Sequence, residues 1–273
     1  MRVHFIGIGG IGLSALARFL NFDGHSVSGS DMKSSSITKE LEKEGIKVSC
    51  PQEAKNISDD LDLVIYSAAV TDENPELIEA RLKQIRTLSR KEALPIILGD
   101  KKNYCVAGAH GKSTTTAILA SILQSSALIG AISKDFGSNF RYVNDLIAFE
   151  ADESDASFLL SNPYCAIVTN AEPEHMEYYH YDYDKFYESY ERFISLATKK
   201  VVNGEDKDIK KLKIEDATYL YPSKDIKNLC YTLRDNQPCT KFDLKDLGTF
   251  EVWGFGFHMA SNASLAILAA LNE

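Results

Sequence analysis

Cysteine is scarce and scattered in this sequence. The chain holds five cysteines, an odd number, and none of them belongs to a CxxC pair. A disulfide framework or a structural zinc site needs cysteines in pairs at short, recurring spacings. The sequence therefore favours neither, and we expect reduced thiols at Cys50, Cys105, Cys165, Cys230 and Cys239.

Long apolar runs and a surplus of basic residues are also missing. No run approaches the ~18 apolar residues of a membrane span, and the opening MRVHFIGIGG turns to glycine where a secretory signal would stay apolar. The 30 basic and 39 acidic residues give a net charge of -9, so no global positive field attracts nucleic acid or anionic lipid. We expect a cytoplasmic protein without nucleic-acid or membrane partners, in which local groups hold any phosphate ligand.

The chain length and the order of apolar runs predict two α/β domains. At roughly 150 residues per domain, a chain of 273 residues predicts about two domains. Strands alternate with helices, a pattern typical of parallel sheets, and a polar break at 100–103 separates two such series. We therefore predict a Rossmann-like domain over residues 1–99 and a P-loop-type α/β domain over residues 100–273. The predicted strands are 3–6, 25–30, 46–50, 61–66, 85–88, 104–107, 146–149, 165–169, 200–202 and 250–257, and the predicted helices are 11–22, 37–44, 75–83, 112–125, 184–197 and 260–273.

A glycine-rich loop follows the first predicted strand. Gly7, Gly9 and Gly12 fit the GxGxxG pattern directly before a predicted helix. The start of that helix would present free N–H groups and a partial positive charge to a phosphate. Asp31 follows Gly12 by about 20 positions, where an acidic residue usually binds ribose hydroxyls. The pattern alone favours NAD, and a glycine turn that only permits close helix packing is the alternative.

A second loop of this kind lies between the strand at 104–107 and the next helix. The string GAHGKST at 108–114 supplies the GK[ST] of a P-loop, although Val106 stands where the usual spacing has its first glycine. Lys112 would neutralise the β- and γ-phosphates, and the hydroxyl of Ser113 would bind Mg²⁺. Two such loops argue against a simple dehydrogenase, because hydride transfer needs no second phosphate site.

Acidic residues and a histidine follow two further strands. Glu150 leaves an apolar strand at the point where a phosphoryl-transfer site holds its metal-binding carboxylate, unless this is only a solvated acidic loop. Three more acids follow it, at Asp152, Glu153 and Asp155. The next strand ends in a turn that contains Asn170, Glu172, Glu174 and His175. An imidazole can bind a divalent cation, but Mg²⁺ prefers oxygen, and His175 taken alone fits a surface histidine better.

The tyrosine-rich stretch YYHYDYDKFYESY, which contains His180, has the period of an amphipathic helix face. We interpret it as packing rather than as a surface on which bases stack.

Seven strings in one order carry a resemblance to a known family. They are GIGGIGLS, SGSD, SAAV, NPE, GAHGKSTTT, EADESDASF and TNAEPEH. Together they resemble the Mur ligases of bacterial cell-wall synthesis over nearly the whole chain. The resemblance implies that the first domain holds the UDP part of UDP-N-acetylmuramate instead of NAD, and that the second domain holds ATP.

The resemblance also implies a reaction with ATP and Mg²⁺. ATP would phosphorylate the lactyl carboxylate of UDP-N-acetylmuramate, and the amine of L-alanine would then displace phosphate to leave an amide. Lys112, Glu150 and His175 would be catalytic, with one Mg²⁺ on Ser113 and Glu150 and a second on His175. The residues implied to bind ATP are Gly108, Ala109, His110, Gly111, Lys112, Ser113, Thr114, His258 and Asn262. Those implied to bind the UDP-sugar are Gly7, Gly9, Ile11, Gly12, Asp31, Ser67, Ala68 and Ala69.

The sequence departs from the family pattern in two places. The family's GxHNxxN string reads GFHMASN here, so Met259 replaces an asparagine while His258 and Asn262 remain, which predicts weaker or rearranged adenine recognition. The family also has a third domain that binds the amino acid. We expect this chain to represent the first two domains and to be inactive alone.

Three alternatives remain open at this stage. A related ligase attaches a tripeptide to the same UDP-sugar and shares most of these motifs. An NAD-binding oxidoreductase or sensor would use the first loop and leave the second a regulatory role. A catalytically inactive scaffold would bind the UDP-sugar only.

Overall fold

The computed structural model describes residues 1–271, so Asn272 and Glu273, which end the last predicted helix, lie outside the described residues. Its contacts divide the chain into two compact units. The first unit comprises Met1–Gly99 and Leu128–Tyr142, and the second comprises Asp100–Ala127 and the chain from Val143 onward. The domain ranges 1–99 and 100–273 stay a prediction.

The first unit contains a five-stranded parallel sheet. Its strands are β1 (Arg2–Ile6), β2 (Ser26–Ser30), β3 (Lys47–Ser49), β4 (Leu63–Tyr66) and β5 (Arg86–Ser89), in the order β3-β2-β1-β4-β5. Its helices are α1 (Ile11–Phe22), α2 (Ser36–Lys43), α3 (Pro75–Leu82) and α4 (Arg90–Leu98). Strand β1 is central and buried from its second residue onward, as expected for a parallel strand covered on both faces. The loop that follows β1 is thereby fixed at the carboxyl edge of the sheet.

Side-chain caps set the helix starts in the first unit. The hydroxyl of Ser35 accepts from the Thr38 N–H before α2, and the Ser89 hydroxyl accepts from the Glu92 N–H before α4. Asn74 caps α3, and Pro75 occupies its first turn, where a missing N–H costs nothing. Helix α1 differs, because it begins after Gly10 without a side-chain cap. Its first N–H groups are therefore not satisfied by a capping side chain.

The second unit is built around a parallel sheet. Its strands are β6 (Lys102–Ala107), β9 (Leu146–Glu150), β10 (Pro163–Val168), β11 (Lys199–Asn203) and β12 (Thr218–Leu220), in the order β12-β11-β10-β6-β9. The strands β7 (Ser126–Ser133) and β8 (Ser138–Arg141) fall mostly or wholly in the segment Leu128–Tyr142, which belongs to the first unit. The pairs among β6, β9, β10, β11 and β12 are parallel. The unit also contains the helices α5 (Lys112–Leu123), α6 (Tyr183–Leu196), α7 (Pro222–Asp225) and α8 (Phe257–Ala270), and a separate antiparallel sheet of β13 (Ile226–Arg234), β14 (Gln237–Leu244) and β15 (Thr249–Trp253).

Strand β6 lies between β10 and β9 in the parallel sheet and positions the second glycine loop. All of its residues after Lys102 are buried, and α5 begins five residues after the strand ends. The P-loop prediction needed this strand, loop and helix in succession. The predicted α/β fold class is confirmed.

Two element predictions are wrong in detail. The predicted strand 250–257 ends at Trp253, because Gly254 and Gly256 take positive φ angles of 99° and 125° and turn the chain into α8. The polar break at 100–103 includes the start of β6, where the buried Asn103 amide donates to the Asn162 carbonyl. This hydrogen bond satisfies the amide nitrogen, whereas the amide oxygen of Asn103 is buried without a partner among the described residues.

Between Met1 and Leu271, no helix is both long and apolar enough to cross a bilayer.

Candidate nucleotide-binding sites

The first glycine loop joins β1 to α1 and leaves little room for side chains. Gly7 has a φ of 83°, and a Cβ built on it would lie 3.0 Å from Cβ of Ser67. A Cβ on Gly9 would lie 2.8 Å from Oδ2 of Asp31, the atom to which the Gly9 N–H donates at 2.8 Å. The Asp31 carboxylate therefore binds the loop backbone itself and fixes its course.

A cleft of about 780 Å³ opens beside this loop, within the first unit. Five of the predicted UDP-sugar residues line it, namely Gly7, Gly9, Asp31, Ser67 and Ala69. The lining does not include Ile11, Gly12 or Ala68. Gly12 lies instead against the guanidinium of Arg90, whose Nε is 3.1 Å from where a Cβ would be. The sequence argument also missed Lys33, Gln52 and Asn74, which line the same cleft.

The second glycine loop joins β6 to α5 and is tighter still. Gly108 has a φ of 136°, and a Cβ on it would lie 2.2 Å from the hydroxyl oxygen of Thr169. Gly111 has a φ of 85°, and a Cβ there would lie 2.8 Å from Oδ1 of Asn262. Helix α5 begins directly after Gly111 without a side-chain cap. Its N-terminus can therefore direct N–H groups at an anion.

Lys112, the first residue of α5, is held by two acceptors. Its Nζ donates to the Gly108 carbonyl at 2.6 Å and to Oε1 of Glu153 at 2.8 Å. The Glu153 side chain is 4% exposed. Burial raises the pKa of this carboxyl, and the nearby Lys112 ammonium acts in the opposite direction. Sequence reasoning noted Glu153 only as one of several acids, because its burial is not visible in the motif.

Ser113 and Glu150 come together as their predicted shared role requires. The Ser113 hydroxyl donates to Oε1 of Glu150 at 3.0 Å. Glu150 ends β9, the strand beside β6, so the sheet places its carboxylate at the first turn of α5. The two oxygens form a pair suited to a hard cation such as Mg²⁺.

His175 is not brought into an acidic cluster with these residues. It lies in the turn after β10 with a positive φ of 51°. Nε2 of His110 is the imidazole nitrogen that meets carboxylates, at 3.2 Å from Glu174 and 4.0 Å from Glu172. Within residues 1–271, no three or more His, Cys, Asp and Glu side chains form a group that could hold a metal ion. Asn170 is next to these groups, and its amide donates to the His110 carbonyl at 2.8 Å.

A second cleft, of about 590 Å³, lies within the second unit beside Gly111. Five residues implied to bind ATP line it, namely His110, Gly111, Thr114, His258 and Asn262. The lining also includes residues to which no motif assigned a role, among them Asn203, Glu205, Asp206 and Phe257. Asn203 ends β11, Glu205 and Asp206 follow it, and Phe257 opens α8, so only the folded unit brings them to the loop.

Met259 points away from this cleft. Its side chain packs against Gly254, where a built Cβ would lie 3.0 Å from the Met259 Cε. The Asn262 side chain lies instead beside Gly111 of the second glycine loop. The residue that departs from the family pattern is therefore not among those lining the cleft.

The fold and both loops define a class: a protein of two α/β units, each with a glycine loop and a cleft suited to a phosphate-bearing ligand. The Mur ligase family catalytic domain matches residues 2–102, and the Mur ligase middle domain matches residues 106–270. The chain belongs to the Mur ligase family, and the resemblance drawn from its motifs is confirmed.

Individual relatives agree with this assignment. The UDP-N-acetylmuramate--L-alanine ligase of Campylobacter curvus is 58% identical over 273 residues, which are 100% of this chain and 62% of the relative. The solved structure of UDP-N-acetylmuramate-alanine ligase from Thermotoga maritima has a TM-score of 0.85 at 28% identity, covering 100% of this chain and 66% of that one. The UDP-N-acetylmuramate:L-alanyl-gamma-D-glutamyl-meso-diaminopimelate ligase from Neisseria meningitides has a TM-score of 0.80 at 23% identity, covering 99% and 93%, and shows a shared fold. The chain thus spans less than two thirds of the Campylobacter relative.

Proposed function

We propose that this chain forms the UDP-sugar-binding and ATP-binding part of a ligase that joins L-alanine to UDP-N-acetylmuramate. The observation that carries the proposal is the arrangement at the start of α5, where Lys112, Ser113 and Glu150 meet the second glycine loop. The 58% identity to a UDP-N-acetylmuramate--L-alanine ligase supports the choice of substrates.

In this proposal ATP occupies the second unit. Its phosphates lie along residues 108–114, with Lys112 on the β- and γ-phosphates, and its adenosine lies in the cleft of His258 and Asn262. Mg²⁺ fits the donor set, since Ser113 and Glu150 offer oxygens and Mg²⁺ commonly completes its coordination with substrate phosphates and water. When bound, the ion would neutralise charge on the transferring phosphoryl group. A second cation on His175 stays a prediction of the family resemblance, since His175 joins no acidic cluster within residues 1–271.

The UDP-sugar occupies the cleft of the first unit. Gly7 and Gly9, which line the cleft, would contact the diphosphate together with the start of α1, which has no side-chain cap. Asp31 would orient the uridine end, and Ser67, Ala68 and Ala69 would form the far wall. Lys33 on the same lining adds a positive charge for this anionic ligand.

The chemistry follows from the charges involved. A carboxylate is a poor electrophile, so the lactyl carboxylate accepts a phosphoryl group from ATP and becomes an acyl phosphate. The amine of L-alanine then attacks the carbonyl carbon, the C–N bond forms, and phosphate leaves. Lys112 stabilises the negative charge that spreads over the transferring group. His110 would reach the side of the muramyl carboxylate.

L-alanine is preferred to a tripeptide because the 58% identical relative is an L-alanine ligase, whereas the tripeptide-related structure is 23% identical. We propose that the acceptor is bound by the part of such a ligase that this chain does not span. Cytoplasmic location belongs to the same proposal.

The test is nucleotide binding together with phosphate release. We expect this chain to bind ADP in calorimetric titration, and Lys112→Ala to weaken that binding at least about tenfold, the loss of a charge-assisted contact. Mixed with ATP, UDP-N-acetylmuramate and L-alanine, the chain should release no phosphate. Absence of ADP binding, or phosphate release that depends on L-alanine, would contradict the proposal.

A further inference from the structure

Lys112 has one N–H left over after its two hydrogen bonds. An ammonium group has three N–H donors in a tetrahedral arrangement. Two of them are directed at the Gly108 carbonyl and at Oε1 of Glu153. When two N–H directions are fixed, the third is fixed as well. The Lys112 side chain is 17% exposed, so the remaining N–H is what a ligand in the loop can reach.

Glu153 is itself held firmly from outside the loop. The Tyr179 hydroxyl donates to the Glu153 backbone carbonyl at 2.6 Å, and Tyr179 is buried against Phe186 of α6. The Glu153 Oε2 is buried and makes no hydrogen bond within the described residues. A buried carboxylate is costly unless a cation compensates it, and Lys112 is the cation that its other oxygen meets. The two side chains are therefore bound to each other more firmly than a surface pair would be.

We propose that Glu153 is a positioning residue for Lys112. By holding the ammonium, Glu153 directs its third N–H at the β-phosphate of the bound nucleotide. The proposal rests on the ATP site proposed above and adds a residue to which the sequence analysis assigned no role. Glu153 touches neither nucleotide nor sugar in this account and acts only through Lys112. Tyr179 supports it by fixing the backbone at Glu153.

Charge and positioning predict opposite effects of removing the carboxylate. Glu153→Gln removes a negative charge near the phosphates, so an effect of charge alone would tighten ADP binding. If Glu153 positions Lys112, the same substitution replaces a charge-assisted hydrogen bond by a weaker one to a neutral amide, so the ammonium is held less firmly and ADP binding weakens. AMP has no β-phosphate, so its affinity should not depend on Glu153 and reports whether the cleft is intact.

The experiment is calorimetric titration of the whole chain with ADP in the absence of metal. A second titration measures AMP by its displacement of bound ADP. We expect Glu153→Gln to weaken ADP binding about tenfold, the scale of one charge-assisted hydrogen bond, and to leave AMP binding unchanged. Tyr179→Phe should weaken ADP binding in the same selective way but by less. Glu153→Asp, which keeps the charge, should recover part of the loss. Glu251→Gln is the control, because it removes an acid that pairs with Arg234 at an exposed site of the same unit.

Unchanged or tighter ADP binding by Glu153→Gln would overturn the inference while leaving the ATP site standing. An equal loss of ADP and AMP affinity would also overturn it, since it would show a structural role only. If the unsubstituted chain binds no ADP, the proposed function itself fails, and this inference fails with it.

Discussion

Gly111 has no room for a side chain in the second loop. Its φ of 85° is unfavourable for any residue with a Cβ, and Asn262 lies where the Cβ would be. Gly137 offers a matched control, because it also has a positive φ, 63°, but nothing lies within 4 Å of its Cβ position. The two glycines separate the effect of backbone strain from the effect of the close contact.

We predict that Gly111→Ala and Gly137→Ala both lose about 1–2 kcal/mol of unfolding free energy, the cost of a left-handed backbone for a non-glycine residue. Only Gly111→Ala should also weaken ADP binding, by at least about tenfold, because the new methyl group displaces Asn262 from the cleft. Thermal unfolding and calorimetric titration of both variants provide the measurements. Equal ADP affinity in the two variants would show that the contact with Asn262 does not matter.

Met259 is a second single residue whose role can be tested. The motif alone predicted weaker or rearranged adenine recognition, but the Met259 side chain packs against Gly254. Met259→Asn should therefore lower stability by about 1–3 kcal/mol through lost packing and change the ADP dissociation constant by less than about threefold. Restoration of markedly tighter ADP binding by the asparagine would mean that position 259 reaches the nucleotide.

The motifs predicted which residues surround the second loop better than they predicted what those residues contact. The GK[ST] string and the strand before Glu150 were enough to place Ser113 beside Glu150, because parallel strands end at the same edge of a sheet. The bond between Lys112 and Glu153 was not predictable in this way. It depends on the burial of Glu153 under Tyr179 and α6, and burial of this kind is a property of the folded unit.

Among the elements, α3 is tied to the first sheet by one buried acid. Glu76 is fully buried, accepts from the Ser30 hydroxyl, and accepts from the Asn56 amide at 2.6 Å. Nε2 of His4 lies 3.5 Å from its Oε2. Burial raises the pKa of Glu76, but the nearby His4 imidazole and the hydrogen bonds from Ser30 and Asn56 outweigh it, so the pKa is lowered overall. The network thus joins β1, β2 and α3 through a carboxylate that is stabilised in its charged form.

We predict that this network loses its stabilising effect in acid. A carboxyl with a lowered pKa in the folded state binds its proton more readily in the unfolded state. Its contribution is therefore present above the unfolded value of about 4.3 and is lost as the pH falls through the lower folded value. Glu76→Gln should be less stable than the unsubstituted chain at pH 7, and the difference should shrink between about pH 5 and pH 3.

The measurement is chemical unfolding across this pH range, with Glu79→Gln as control. Glu79 is on the same helix and pairs with Lys83 in a partly exposed position. A difference between Glu76→Gln and the unsubstituted chain that stays constant down to pH 3 would contradict the prediction. A pH-dependent difference of similar size in Glu79→Gln would show that the effect is not specific to the buried acid.

The sequence predicted the strands of the parallel sheets, but it missed two strands of the antiparallel sheet and helix α4. Continuous apolar runs separated by amphipathic helices identify a parallel sheet, and the observed strands follow those runs. Strands β13 and β14 were not predicted, since IKNLCYTLR is exposed along most of its length and has little apolar patterning. Helix α4 was also missed, and it contains Pro95, a residue that usually signals a helix end.

The segment 128–142 shows a further limit of local patterns. Its Asn139 accepts from the buried Arg18 guanidinium of α1 at 2.6 Å, and Phe140 lies against Phe19 and Phe22. These contacts group the segment with the first unit, although it follows α5 in the chain. No sequence signal separates it from its neighbours, because the contacts join residues more than 100 positions apart.

At the scale of the whole molecule, the net charge of -9 leaves anion binding to particular groups. Each cleft is made of residues from one unit, and each contains a glycine loop at the start of a helix without a side-chain cap. The two clefts explain why a GxGxxG pattern and a P-loop occur in one chain. We propose that the first cleft takes a UDP-sugar and not a dinucleotide.

The most direct test of binding in the first cleft is calorimetric titration of the chain with UDP-N-acetylmuramate and, separately, with NADH. We predict saturable binding of UDP-N-acetylmuramate and none of NADH. Gly9→Val should abolish the binding, because its side chain would occupy the place of the Asp31 carboxylate. Saturable binding of NADH without binding of UDP-N-acetylmuramate would contradict the account.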